Sequence, residues 1–190
     1  MTRAPPDPVK LFAAILWSDA GALGASILRL EEVWGPKDFV GPDRAFDITD
    51  YYEREMGPGL LRRLVAFERL VAPDALPERK LDASAIEEEL RGPRGRRVNI
   101  DVGYLDLHKV VLASGKAGPQ KIYLGSGVWA DMACWYSKGA FHPFAWSFPD
   151  FRRGRYDREL LELRAAYKAQ LRAGGFLASG GGEDRVDPDR

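Results

Sequence analysis

The sequence is poor in the residues that build disulfide frameworks and nitrogen- or sulfur-ligated metal centres. It contains one cysteine, Cys134, and two histidines, His108 and His142. A single cysteine excludes an internal disulfide and any zinc site made of several cysteines. Two histidines with no motif around them also leave little for a histidine-rich metal site.

The chain also lacks a long apolar run and an excess of charge of either sign. No stretch of about 18 apolar residues is present, so no membrane-spanning helix is predicted, and the N-terminus has no signal-peptide pattern. Lys plus Arg total 28 and Asp plus Glu total 28, which gives zero formal charge. This balance argues against a nucleic-acid partner, because such proteins need a positive field. We therefore expect a cytoplasmic protein.

The composition is that of one globular domain. Of 190 residues, 45% are apolar and 29% are charged, which are ordinary values, and a chain of this length can bury a core. Prolines stiffen residues 1–8, which we expect to form an extended arm. Residues 173–190 are rich in Gly, Asp and Arg and are predicted to be a disordered tail. Residues 9–172 then form a single domain.

Hydrophobic patterns in the first half predict a strand followed by a helix. Residues 9–17 are apolar on both faces, as in a central buried strand. Apolar residues from Leu23 to Trp34 repeat at helical spacing, and residues 36–45 are predicted to be a loop. Residues 60–71 are ambiguous, because their periodicity favours a helix while a strand fits less cleanly.

The second half predicts mainly strands. A short acidic helix is predicted over residues 82–91, and a closing helix carries apolar residues from Leu160 to Leu171. Alternating or short apolar segments predict the strands between them, at 96–104, 109–114, 120–124, 128–136 and 140–146. This order predicts an α+β fold with a mostly antiparallel sheet flanked by about three helices.

Asp131 is the clearest anomaly among the polar residues. Strict alternation along residues 128–136 puts Asp131 on one strand face with Trp129 and Trp135, and the other face is apolar as well. A carboxylate in such surroundings needs a cation, hydrogen-bond donors or a raised pKa. Asp131 is therefore either half of a structural ion pair or part of a site.

Two further polar clusters are candidates for a site. Asn99 and Asp101 share one face of a predicted strand, and Lys109 could reach the same side. The segment at 46–57 could contribute Asp47, Tyr52 or Glu55 from a loop over the sheet. Each cluster also has a structural interpretation. The strand residues can form the solvent-exposed face of a sheet, and the segment at 46–57 can be a capped helical turn on the surface.

Motifs for nucleotide phosphates are absent. The sequence contains neither G-x-x-x-x-G-K-[ST] nor a G-x-G-x-x-G that opens a helix after a strand. The glycine-containing loops at 114–116 and 125–127 fit plain turns better than anion-binding nests. A guanine-reading Asn-Lys-x-Asp is also missing, so the motifs do not support GTP binding.

Six segments resemble, in order, the Domain of Unknown Function 4416 family of bacteria and archaea. They are PVKLF at 8–12, FDITDYYEREMG at 46–57, RRVNIDVGYL at 96–105, KVVLASGK at 109–116, KIYLGSGVWADM at 121–132 and WSFPDFRRGRYD at 146–157. The family is uncharacterised, so the resemblance implies no activity, although it favours a strand over 60–71. Because the polar candidates fall inside these segments, we expect them to lie close together. They are Asp47, Tyr52, Glu55, Asn99, Asp101, Tyr104 and Asp131.

These observations predict a domain that binds a small ligand in a carboxylate-rich pocket on its sheet. In an enzyme version a divalent cation assists hydrolysis or group transfer, and Asp101 and Asp131 are its ligands or an acid–base pair. Lys109 would neutralise an anionic group of the ligand. The alternative is a non-catalytic domain that binds a protein partner through its Trp-rich strand.

Overall fold

The computed structural model describes residues 5–177 of the chain. Nine strands, three long helices and two one-turn helices follow one another in a single domain. The strands are β1 (Val9–Trp17), β2 (Lys37–Val40), β3 (Arg44–Ala45), β4 (Leu61–Val71), β5 (Val98–Leu105), β6 (Lys109–Ser114), β7 (Ile122–Gly125), β8 (Val128–Ser137) and β9 (Ala140–Pro143). The helices are α1 (Ala20–Trp34), α2 (Glu53–Met56), α3 (Leu76–Glu89), α4 (Pro149–Arg152) and α5 (Asp157–Ala173), and a 3-10 turn at Pro73–Ala75 precedes α3.

All strand pairs of the sheet are antiparallel. The order is β2-β4-β1-β5-β6-β8-β7, while β3 pairs with β4 and β9 pairs with β8. The chain is therefore α+β, opens strand–helix and closes with a helix, as predicted. The paired strands from 96 to 143 lie close to their predicted positions because alternation and glycine turns mark each of them.

Helices cover both faces of the sheet, which explains why β1 is apolar on both sides. Leu11, Ala13 and Ile15 pack under α1 and α3, and we call this side the α1/α3 face. Phe12 and Ala14 pack against α5 on the opposite side, the α5 face. β1 lies between β4 and β5, so every one of its residues is buried.

The helix ends follow from local chemistry. The Asp19 carboxylate caps α1 by accepting hydrogen bonds from the amides of Gly21 and Ala22 at 2.9 and 3.1 Å. Gly35 ends the helix with a φ of 93°, a conformation that residues with a Cβ seldom adopt.

The structure resolves one ambiguous segment, and two predicted boundaries are wrong. Residues 61–71 form strand β4 rather than a helix, because Leu64 packs on the α5 face while Phe67 packs on the α1/α3 face. A strand buried on both sides carries apolar residues at helical and strand spacing alike. The predicted loop at 36–45 contains the edge strands β2 and β3, and α3 starts at Leu76 instead of residue 82.

The predicted division into an arm, a domain and a tail stays a prediction. Residues 1–4 and 178–190, which belong to the predicted arm and tail, lie outside the described residues. Helix α5 extends to Ala173, and the backbone amides of Phe176 and Leu177 bond back to the carbonyl of Leu171. The packed part of the chain thus continues slightly past residue 172.

Candidate functional site

The sheet splits between β5 and β6, and the candidate site lies in this split. β6 pairs with β5 only from Gly103 to Leu105, so residues 98–102 have no ladder partner on that side within the described chain. A cavity of about 440 Å³ opens there, and we call it the split-sheet cavity. Its lining includes Tyr51, Tyr52, Lys80, Glu87, Arg96, Asn99, Asp101, Leu112, Ser114, Lys116, Lys121, Asp131 and Phe148.

Gly103 marks the point where the two strands rejoin. A Cβ on Gly103 would stand 2.7 Å from the carbonyl oxygen of Val111 and 2.8 Å from side-chain atoms of Leu112 and Phe12. No such contact is tolerated without a shift of the backbone, so the residue must be glycine for β6 to approach this closely.

Helix α3 satisfies the backbone that the split leaves unpaired. The amide of Ile100 donates to Glu87 Oε1 at 2.5 Å, and its carbonyl accepts from Lys80 Nζ at 2.9 Å. Glu87 and Lys80 are seven residues apart, two helical turns, so both side chains reach the same strand. Burial raises the pKa of Glu87, while the charge of Lys80 opposes that shift.

The structure brings four of the predicted site residues to this cavity, namely Tyr52, Asn99, Asp101 and Asp131. Ladder register places Asp101 level with Ala14 of β1, and Asp131 level with Leu112 of β6. Ala14 and Leu112 both belong to the core on the α5 face. The two aspartates are therefore on one sheet face, as expected, and their roles stay predictions.

Four other predicted residues lie outside the lining of the cavity. Glu55 is next to it, since its carboxylate accepts from Arg96 Nε at 2.8 Å. Asp47 is largely exposed and pairs with Arg155, so it is not part of the cluster. Tyr104 and Lys109 line a different cavity beside the β5–β6 hairpin, and Lys109 pairs with Asp106. The expectation of one cluster was wrong for Asp47 and Tyr104, and Lys109 does not reach Asp101.

The physical reason for the displacement is the period-two geometry of a strand. Tyr104 is three residues from Asp101 and packs against the core on the α1/α3 face, opposite the face of Asp101. Lys109 precedes Val110, which is in the core on the α5 face, so the Lys109 side chain projects from the other side. Membership in a family-like segment therefore does not decide which face a residue occupies.

A bulge in β8 also changes the neighbours of Asp131. Val110 pairs with Cys134 and Val111 with Met132, so Ala133 is an extra residue in β8. The bulge places Trp135 on the face opposite Asp131, and only Trp129 remains on the face of Asp131. The strict alternation predicted for residues 128–136 is wrong at this point.

Asp101 is held by an ion-pair network that the sequence analysis missed. Arg62 of β4 donates to Asp101 Oδ2 at 3.0 Å and to Asp150 Oδ2 at 2.6 Å. Tyr156 donates its hydroxyl to the same Asp150 oxygen at 2.7 Å. Arg62 and Asp150 are buried, and the guanidinium carbon lies 4.4 Å from the centre of the Phe46 ring. Arg62 is level with Leu16 of β1 and Asp101 is level with Ala14, so the Arg62 side chain crosses β1 diagonally to reach Asp101.

Asp131 is much less well satisfied. Its Oδ2 lies 3.8 Å from Lys121 Nζ and accepts a long hydrogen bond of 3.4 Å from Gln120. Its Oδ1 is buried with no hydrogen-bond partner among residues 5–177. Burial raises the pKa of Asp131, and Lys121 and Gln120 only partly oppose the shift. A carboxyl group with a raised pKa holds its proton more tightly than a solvated one, which is a property of general acids.

Asn99 carries the second unpartnered group of the cavity. Its Oδ1 accepts from Arg96 Nη1 at 2.9 Å, whereas its Nδ2 is buried and has no acceptor in the described part of the chain. Asn99 is 5% exposed. A buried amide group without a partner costs about 1–3 kcal/mol, so native proteins seldom contain one unless something else binds it.

The residues do not fit a divalent cation. Within residues 5–177 no group of three or more His, Cys, Asp or Glu side chains is arranged to hold a metal ion. Asp101 forms an ion pair with Arg62, and the Asp131 carboxylate has Lys121 Nζ at 3.8 Å, so a cation of the protein already lies beside each of them. The cation-assisted version of the enzyme hypothesis therefore has no donor set in this part of the chain.

The comparison with known families agrees with the resemblance of the six segments. A family model described as a domain of unknown function, DUF4416, matches residues 7–167 of the 190-residue chain. The chain belongs to the DUF4416 family. The match covers every element from β1 to most of α5, so both the cavity and the Arg62 network of this DUF4416 domain lie within the family region.

Other comparisons add no relative to the DUF4416 match. Comparison of the chain with curated proteins gave no match, and neither did comparison with solved structures. Among residues 5–177 of this DUF4416 chain, no helix has the length and apolar character needed to cross a bilayer.

Proposed function

We propose that this DUF4416 domain binds a small polar molecule in the split-sheet cavity. One observation carries the proposal: Asn99 Nδ2 and Asp131 Oδ1, on strands β5 and β8, are buried without partners and belong to residues that line the same cavity. A ligand that supplied an acceptor to Asn99 and a donor or acceptor to Asp131 would recover the free energy lost by burying them.

The lining also indicates what such a ligand would contact. Tyr52 is half-buried and its ring lies near Arg96, while Phe148 is exposed at the rim, so a flat or apolar part of the ligand can pack against aromatic rings. In a catalytic version, Asp131 exchanges a proton with the ligand, because its raised pKa suits general acid–base work. Asp101, fixed by Arg62, would accept a hydrogen bond and orient the ligand.

A thermal-shift panel on the full chain tests the proposal. The panel contains nucleotides, sugar phosphates, carboxylate metabolites, neutral sugars and divalent cations. A ligand at a hundred times its dissociation constant stabilises the domain by about 2.7 kcal/mol, which raises the Tm by several degrees. We expect a shift that Asn99→Leu removes and that Asp74→Asn, a change at an exposed residue away from the cavity, preserves.

Two results would count against the proposal. One is a shift that persists in Asn99→Leu and also in Asp131→Asn, because the compound would then bind elsewhere. The other is a panel without any shift in a well-folded protein.

The cytoplasmic location predicted from the sequence stays a prediction, and fractionation of cells that express the tagged chain tests it.

A second candidate function is the binding of a protein partner. Trp135, Trp146 and Phe148 are each about half exposed, and Met132 next to them is 38% exposed. Trp146 is held over β8 by a hydrogen bond of 3.0 Å from its Nε1 to the carbonyl of Met132. Aromatic residues and methionine are enriched in interfaces, so a pull-down that Trp135→Ser abolishes would favour this candidate.

A further inference from the structure

Three lysines converge on the split-sheet cavity from three separate segments. Lys80 comes from α3, Lys116 follows β6 and Lys121 precedes β7. Within residues 5–177, the only carboxylate oxygen within 4.0 Å of any of their Nζ atoms belongs to Asp131, 3.8 Å from Lys121. That distance is too long for a hydrogen bond.

Three of the five other lysines within residues 5–177 differ in this respect, whereas Lys138 and Lys168 also have no carboxylate oxygen within 4.0 Å. Lys10 bonds to Asp38, Lys37 to Glu31 at 2.6 Å and Lys109 to Asp106. Each of these three ammonium groups has a carboxylate at hydrogen-bond distance. The three cavity lysines have none, although three carboxylates, those of Glu87, Asp101 and Asp131, line the same cavity.

The cavity lysines are nevertheless fixed in position. Lys121 is 12% exposed, and its Nζ donates to Ser114 Oγ at 2.8 Å and to the carbonyl of Lys116 at 3.2 Å. Lys80 Nζ donates to the carbonyl of Ile100, and Lys116 Nζ lies 5.4 Å from the centre of the Tyr51 ring. Neutral acceptors and a ring hold these cations without neutralising their charges.

Asn99 adds an independent observation. Its buried Nδ2 is a hydrogen-bond donor with no acceptor among residues 5–177, so the cavity combines three lysines that have no carboxylate at hydrogen-bond distance with one unused neutral donor. Groups of this kind are satisfied together by a ligand rich in acceptor oxygens and negative charge.

We propose that the split-sheet cavity selects ligands that carry an oxyanion, either a phosphate or a carboxylate, and that Lys80, Lys116 and Lys121 bind that group. This inference rests on the proposed function, since it names the class of molecule that the cavity takes. The oxyanion replaces Asp131 as the nearest negative charge to Lys121, and the Asn99 amide donates to an oxygen of the ligand.

The test uses the full chain and two probes, inorganic phosphate and succinate, each titrated against sodium chloride at constant ionic strength. We expect at least one probe to bind the wild type. Lys116→Met and Lys121→Met should each weaken that binding about tenfold, the size of one charge-assisted hydrogen bond. Lys138→Met is the control, because Lys138 is exposed in the turn between β8 and β9, at the far end of β8 from Asp131.

Two lysine variants are used so that the test remains informative if one of them misfolds. Lys121 is nearly buried and its loss can disturb the hairpin, whereas Lys116 is exposed and its side chain can be removed without opening the core. Binding of phosphate without binding of succinate would assign the oxyanion as a phosphate, and the reverse result would assign it as a carboxylate.

Other outcomes overturn the inference. It fails if neither probe binds, or if the Lys116 and Lys121 variants bind as tightly as Lys138→Met. If a neutral compound of the ligand panel still gives a thermal shift that depends on Asn99, the proposed function stands, and only the inference that the ligand carries an oxyanion is wrong. If no compound of either set binds, both proposals fail.

Discussion

Asp101 and Asp131 lie on the same sheet face, with one strand between them, and the contrast between them is instructive. Asp101 shares Arg62 with Asp150, and Tyr156 donates a hydrogen bond to Asp150, while Arg62 Nε is buried without a partner among residues 5–177. Asp131 has a distant lysine, a long bond to Gln120 and an oxygen without a partner. One carboxylate belongs to an ion-pair network, and the other has a buried oxygen without a partner among residues 5–177.

The difference separates two kinds of buried charge. Removing one member of a buried ion pair greatly lowers the free energy of unfolding, because the other charge is left buried without a partner. A charge whose partners are missing costs stability in the folded state, so a substitution that removes it has little effect or even stabilises the protein. Four substitutions test this contrast, from the largest expected effect to the smallest.

Arg62→Met should have the largest effect. It leaves the buried Asp150 without its cation and removes the cation beside Asp101. The free energy of unfolding should therefore fall by about 3–5 kcal/mol. The adjacent Arg63→Met is the control, since Arg63 pairs only with the partly exposed Asp43 and should cost about 1 kcal/mol or less. Urea unfolding followed by tryptophan fluorescence measures both, and equal losses would show that the Arg62 network is not a framework.

Glu87→Ala should have the next largest effect. The Ile100 amide loses its acceptor in the split, and a buried amide without a partner costs about 1–3 kcal/mol. Hydrogen exchange of the Ile100 amide should accelerate in the variant and be restored in Glu87→Gln, which keeps an acceptor oxygen. Glu88→Ala, next to it on α3, removes only an exposed pair with Arg91. Unchanged exchange at Ile100 would contradict the interpretation that α3 replaces β6 there.

Tyr156→Phe should weaken the framework more gently. It removes the hydroxyl that donates to Asp150 but leaves both ionic contacts of Arg62 in place. Loss of one hydrogen bond to a charged group costs about 1.5–3 kcal/mol, and we expect the lower end of this range because Arg62 still compensates Asp150. The same urea experiment measures the loss. Tyr51→Phe, at an exposed ring beside the cavity, should change the free energy of unfolding less than this.

Asp131→Asn should have the smallest effect and a distinctive pH dependence. Burial raises the pKa of Asp131 above its ordinary value of 3.8, so the folded state holds this proton more tightly than the unfolded state. The contribution of Asp131 to stability therefore falls as the pH rises from 3.8 through the higher folded pKa. Relative to wild type, Asp131→Asn should gain stability from pH 3 to pH 7, within about 1 kcal/mol of wild type throughout.

Urea unfolding of both proteins across that pH range measures the difference. A variant that instead loses stability relative to wild type between pH 3 and pH 7 would show that Asp131 forms a structural pair with Lys121. In that case the contrast between the two carboxylates would disappear, and the observation that carries the proposed function would be lost with it.

Several features of the fold could be predicted because they are recorded in short stretches of sequence. Alternation and glycine turns located β5, β6 and β8, and helical spacing with Gly35 located α1. β4 could not be predicted in this way, because a strand buried on both faces has no unique period. The edge strands β2 and β3 are short and largely exposed, so they carry almost no apolar signal.

The candidate site also combines features that the sequence determined with features that only the tertiary structure determined. The sequence by itself determined that Asn99, Asp101 and Asp131 are polar residues within strands, because period-two geometry is local. Three features depend on the tertiary structure. β5 and β6 separate beside these residues, and α3 supplies Lys80 and Glu87 to the cavity between them. Arg62 reaches Asp101 from a strand 39 residues away in sequence. Charge pairing across a sheet depends on strand order and register, and no single segment of this chain encodes either of them.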